Sequence, residues 1–159
     1  MTEKEREFTN TVREHRSTIY SVCFMFAKSS DEADDLFQEV LIKLWHGFDG
    51  FEHRSNIATW IWRISLNTCI SMERTKRRSS SLKLDMSRNL YTGEDSDSRQ
   101  MQTLHKRIHR LQPFDRAIVL LWLENMSYEE IASIVGISVK NVSVRLYRIK
   151  EQLKNMSNE

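Results

Sequence analysis

Glycine and proline are scarce here: four glycines and one proline in 159 residues leave few sites for tight turns and almost no helix breakers. Apolar residues recur at helical spacing with little strict alternation, no segment reads as a strand, and an all-α chain is expected. The two cysteines, Cys23 and Cys69, lack a CxxC partner and lie among apolar neighbours. That excludes a disulfide framework and reads as reduced core thiols. Long apolar runs are missing too. The longest, around Ile19 to Ala27, contains a serine and is too short to span a bilayer, and no signal pattern opens the chain, so a cytoplasmic location without membrane insertion is expected. Charge of one sign is also lacking. With 24 Lys and Arg against 22 Asp and Glu the net charge is +2, so any nucleic-acid binding must rest on local patches.

The chemistry of catalysis is likewise absent. No nucleophile stands with a base, there is no glycine-rich phosphate loop, and no metal-ligand cluster can be assembled. His105 and His109 share a helix face at four-residue spacing but have no third ligand nearby, so no metal site is expected. The chain is expected not to be an enzyme and to need no cofactor.

What is present is most distinct in the last third. From Ser127 to Arg148 the sequence reads as a helix-turn-helix. Ser127 can cap a first helix, with Glu130 reaching back to its amide, and Ile131, Ala132, Ile134 and Val135 give that helix a buried face. Gly136 can supply the left-handed conformation at the turn, and Ser138 can cap the second helix at once. In the second helix Val142, Leu146, Ile149 and Leu153 recur at four, three and four residues and mark the packed face. Lys140, Asn141, Ser143, Arg145, Arg148 and Lys150 are left on the other, with cations suited to phosphates and short polar groups suited to base edges. A solvated amphipathic helix would carry a similar charge pattern, but the glycine turn and double capping favour a DNA-binding unit.

Between Ser79 and Ser98 the composition shifts to Ser, Asp, Asn, Lys and Gly, a linker composition. It separates a block at 1–78 from one at 99–159. The clearest helix of the first block is expected at Asp31 to Trp45, capped by Ser29 or Ser30, with Ala33, Leu36, Phe37, Val40, Leu41, Leu44 and Trp45 on its apolar face. Asp34, Asp35, Gln38, Glu39 and Ile42 occupy the opposite face, which suits a basic protein partner and equally an ordinary solvated helix. A loop from Gly47 to Asn56 follows. A helix from Ile57 to about Arg78 then carries Trp60, Ile61, Ile64, Thr68 and Met72 inward and Arg63, Asn67 and Arg74 as polar residues. Aromatics mixed with Arg and Asn could stack on unpaired bases, while Trp60 and Trp62 could equally be core.

In this order, the motifs resemble bacterial RNA polymerase sigma factors of the extracytoplasmic function (ECF) group. The resemblance rests on Asp31 to Val40, Leu44-Trp45, and Trp60 to Ile64 with Asn67 and Arg74. In the second block it rests on Leu111 to Arg116, Ser127 to Ala132, Gly136-Ile137-Ser138, Val142, Arg145-Leu146 and Arg148. It implies two helical domains, a region 2 bundle and a region 4 helix-turn-helix, joined by a flexible linker. It also implies a transcription initiation factor that binds core RNA polymerase through Asp35, Gln38, Glu39 and Ile42. Arg54, Ser55, Asn56, Trp60, Arg63, Asn67 and Arg74 would open and hold the promoter's minus-10 element. Lys140, Asn141, Ser143, Arg145 and Arg148 would read the minus-35 element, and an anti-sigma factor would be the controlling partner. The sequence departs from the usual pattern at Leu66, where a basic residue is common, at Ser71 for Asp, and at Asn141, Ser143 and Val144 for Thr, Lys and Ser. The alternative is a dimeric helix-turn-helix regulator, which would form a stable dimer on a palindromic operator.

Overall fold

In a computed structural model the chain is described at residues 1–51, 56–79 and 96–156. Seven helices and no strand occur among them, and contacts divide the chain into two compact units.

The first unit is a three-helix bundle of α1 (Glu3–Phe26), α2 (Ser30–Phe48) and α3 (Ile57–Ser79), each packed on the other two. Helix α1 starts in a capping box: Thr2 accepts from the Glu5 amide, and the Glu5 carboxylate accepts from the Thr2 amide. Such caps stabilise a helix by about 1 kcal/mol. Ala27 turns extended and ends α1, and Ser29 caps α2 two residues later by accepting from the Glu32 amide at 3.1 Å. Between the helices lie Ile19, Val22, Cys23 and Phe26 from α1, Ala33, Leu36, Val40 and Leu44 from α2, and Ile61, Leu66 and Cys69 from α3. Both cysteines are buried and unlinked, as expected.

Two features differ from the sequence reading: the end of α2 and the buried face of α3. Helix α2 runs on through Gly47 to Phe48, three residues beyond Trp45, because tertiary packing outweighs the glycine's low helix propensity. The Phe48 ring sits 5.4 Å from Phe8 and 6.3 Å from Trp60. A Cβ at Gly47 would meet the Trp60 ring at 3.4 Å, a close but ordinary contact, so the ring lies against this turn of α2. Within α3 the buried face is rotated from the expected one. Ile61 and Thr68 are buried as expected and are joined by Trp62, Ser65, Leu66, Cys69, Ile70 and Glu73, while Trp60, Ile64 and Met72 are only half-covered. The first half of α3 is apolar nearly all round, so periodicity alone could not orient it.

In the second unit α4 (Ser96–His109) and α5 (Pro113–Leu123) precede the pair α6 (Tyr128–Val135) and α7 (Val139–Lys154). Helix α5 touches the other three. Its Pro113, Arg116, Ala117, Ile118, Val119, Leu120 and Leu121 are all buried, as suits a central helix apolar on most sides. Arg116 is fully buried yet not isolated. It donates to the carbonyls of Ile108, His109 and Leu111 at 3.3, 2.8 and 3.2 Å, tying the end of α4 and the turn after it to α5. Asn125 takes a positive φ of 61°, a conformation asparagine tolerates, just beyond the end of α5. Both edges of the sequence-derived linker, Ser79 and Ser96 to Ser98, are helical, and residues 80–95 lie outside the described residues.

Candidate nucleic-acid and protein interfaces

Helices α6 and α7 form the turn unit as its sequence specified. Ser127 Oγ accepts from the Glu130 amide at 3.1 Å, and Glu130 Oε1 accepts from the Ser127 amide at 3.2 Å. Gly136 closes α6 in the left-handed region at φ 79°, where a side chain other than Gly or Asn is strained. Ser138 caps α7 by accepting from the Asn141 amide at 3.1 Å. Val142, Leu146 and Ile149 are buried and Leu153 is half-buried. Lys140, Asn141, Ser143, Arg145, Arg148 and Lys150 are all exposed.

These side chains are not equivalent. Arg145 Nη1 is 3.1 Å from Asp115 Oδ1, and its guanidinium lies 5.0 Å from the centre of the Phe114 ring, so this cation is held toward α5. Lys150 Nζ stands 4.4 Å over the Trp122 ring. Lys140 and Arg148 have no such partner among the described residues. Val139, Val144 and Tyr147 are also exposed on α7. In the sequence Val144 stands out only as a departure from the family pattern, and nothing local marks Val139 or Tyr147 as outward-facing.

On α2 the four residues implied for protein binding form one stripe. Asp35, Gln38, Glu39 and Ile42 follow the three-four spacing that aligns a helix face, opposite the buried Ala33, Leu36, Val40 and Leu44. Asp35 and Gln38 are exposed, and Ile42 keeps 47% of its surface. Glu39 is half-buried, less open than the sequence suggested. The stripe therefore offers acid, amide and one isolated apolar group, a combination suited to a basic partner with a small apolar contact.

Helix α3 gathers a second stripe. Asn56, Trp60, Arg63, Asn67 and Arg74 are spaced four, three, four and seven residues apart, so they share the side away from the bundle core. Asn67 and Arg74 are exposed, and Trp60 and Arg63 are half-buried. Asn56 is itself exposed, but its Oδ1 accepts from the Thr59 amide at 2.7 Å and caps α3. The Trp60 ring lies 4.9 Å from Phe51. Of the two tryptophans Trp62 is the core residue at 7% exposure, while Trp60 keeps part of its face open beside the cationic stripe. Leu66 is buried. Arg54 and Ser55 lie outside the described residues.

His105 and His109 do approach, with ring centres 4.6 Å apart. Among the described residues no third histidine, cysteine or carboxylate joins them to hold a metal. No helix among those residues is long and apolar enough to cross a membrane.

Comparison with known families matches the Sigma-70 region 2 model to residues 11–79 and the Sigma-70 region 4 model to residues 101–153. Together these cover more than half of the chain. The ECF RNA polymerase sigma factor SigE of Mycolicibacterium smegmatis is 28% identical over 152 residues, covering 91% of this chain and 59% of that protein. SigW of Bacillus subtilis, another ECF sigma factor, is 25% identical over 162 residues, covering 92% and 87%. The chain thus spans 59% of the length of SigE and half that of SigG from Mycobacterium tuberculosis. Among solved structures, the sigma factor RpoE from Bartonella quintana, in complex with the anti-sigma factor NepR, superposes with a TM-score of 0.70. That likeness covers 94% of this chain and 95% of that one at 23% identity, and it bears on the fold.

Proposed function

The chain belongs to the sigma-70 family, in its ECF group, and from that premise we propose that it is a transcription initiation factor acting in the cytoplasm as a non-enzymatic subunit of RNA polymerase. The observation that carries this reading is the order of two built surfaces. A region 2 bundle presents the α2 and α3 stripes, and a region 4 unit presents the capped, cationic helix α7. Residues 1–78 are assigned to region 2, 79–98 to the linker and 99–159 to region 4.

In this reading Asp35, Gln38, Glu39 and Ile42 bind core polymerase. Trp60, Arg63, Asn67 and Arg74, with Arg54, Ser55 and Asn56 at the head of α3, engage the minus-10 element as it opens. Pulling a base from the stack costs a few kcal/mol. A half-open tryptophan beside two arginines can offset that cost by stacking on the base and tracking the backbone. Lys140, Asn141, Ser143, Arg145 and Arg148 then read the minus-35 element from the major groove. Because the sigma factors RpoE and CnrH were each solved bound to a partner, NepR and the cytosolic domain of CnrY, an anti-sigma partner is proposed here too. A dimeric regulator gains no support, since the first block matches region 2.

The test is transcription in vitro. Bacterial core polymerase, with and without the purified chain, is given a pool of genomic fragments from the source bacterium, and transcript 5′ ends are mapped. Starts that depend on the chain and lie downstream of a shared pair of elements are expected. Starts unchanged by its addition would overturn the reading.

A further inference from the structure

The outer face of α7 has an apolar side chain at its centre. At about 100° per residue, the buried Val142, Leu146 and Ile149 fix the inward direction, and Val144 stands almost directly opposite. One turn before it is Lys140 and one turn after it is Arg148, both exposed. Val144 keeps 40% of its surface open. Arg145, next in sequence, lies on the flank and is held by Asp115. The stripe aimed away from the unit thus sets an isopropyl group between two cations, with the 70% exposed Tyr147 ring beside Arg148 and the exposed Glu151 carboxylate beyond it.

A lone exposed valine is common on protein surfaces. Its neighbours make this one different. Two cations one turn away on either side suit phosphates, and they would bring the residue between them to the floor of a major groove. The apolar group that base edges present there is the thymine 5-methyl. An isopropyl group can neither donate nor accept, so against any other base it would bury a polar edge without a partner.

We propose that Val144 is a specificity-determining residue that packs on the 5-methyl group of a thymine in the upstream promoter element. The proposal rests on the reading of the second unit as the minus-35 reader, and it names which contact that reader makes here.

The test uses holoenzyme assembled from bacterial core polymerase and the full chain. It first selects duplexes from a pool with a randomised upstream segment. Each thymine of a selected duplex is then replaced in turn by 2′-deoxyuridine, which lacks only the methyl group. Loss of one buried methyl contact corresponds to about a fourfold weaker affinity. The expected result is one position where wild-type holoenzyme loses about that factor and holoenzyme carrying Val144→Ser loses nothing. A selected duplex indifferent to every such replacement would overturn the proposal alone, as would equal losses for wild type and Val144→Ser. A holoenzyme that enriches no duplex would overturn the initiation-factor reading and this inference with it.

Discussion

Arg145 and Asp115 join α7 to α5 through an ion pair of 3.1 Å. Both side chains are partly exposed, so solvent screening keeps its contribution to stability near 0–1 kcal/mol, to order of magnitude. Its effect is on direction. With the guanidinium also resting against Phe114, the cation is held to one flank of α7.

Arg145→Ala should therefore change the unfolding free energy by less than about 1 kcal/mol in chemical denaturation. The same change should weaken promoter binding by holoenzyme about tenfold, the cost of one guanidinium contact, in fluorescence anisotropy. Core binding should be unchanged. Equal loss of both functions would count against the division of labour between the two units.

Gly136→Ala tests the turn. No atom lies within 4 Å of the Cβ it would add, so the cost is that of the backbone alone, about 1–2 kcal/mol at a positive φ. Gly136→Asn should recover part of that loss. Thermal melts of the three proteins decide it, and an Ala variant as stable as the parent would contradict the left-handed cap.

Arg116→Met should be the most damaging single change in the second unit. It removes three hydrogen bonds to carbonyls at the end of α4 and the turn after it, two of them buried and one part-buried, with a cost on the order of 3 kcal/mol. Hydrogen exchange should show protection lost from α4 to α7 and kept in α1 to α3. A variant that keeps full protection in α4 and α5 would show that the buried guanidinium is dispensable.

Trp60 separates packing from function. Trp60→Leu keeps an apolar group against Phe48 and Phe51 and, because the lost ring is only half-buried, should cost on the order of 2 kcal/mol. It should nonetheless lower promoter opening, followed by permanganate reactivity of unpaired thymines, while closed-complex binding persists. Normal opening would assign Trp60 to the core alone.

Legibility in the sequence followed from how much each element depends on its own residues. The unit from Ser127 to Arg148 was readable almost side chain by side chain, because its caps, its left-handed glycine and its single apolar stripe are all local signals. The face of α2 was readable for the same reason. Helix α3 was not, since apolar residues surround its first half and contact with both α1 and α2 decides which are buried. The end of α2 runs past Gly47 because Phe48 packs against Phe8 and Trp60, an approach no local pattern records. Thr2 with Glu5 is a capping-box signal for the start of α1. Arg116 belongs to the Leu111 to Arg116 motif, but its role depends on carbonyls up to eight residues away and is not written in that motif. Of the candidate sites, each stripe could be assembled from spacing. Which cation is restrained and which apolar residue is exposed came only from packing.

The measurement that bears most directly on the account is gel filtration of the chain with bacterial core RNA polymerase, alongside a variant carrying both Gln38→Ala and Glu39→Ala. Wild type should co-elute with core. The variant should elute separately while keeping its helical circular-dichroism melt, because Gln38 is exposed and Glu39 only half-buried. Failure of the wild type to co-elute, or undiminished co-elution of a folded variant, would contradict the assignment of the α2 stripe to polymerase.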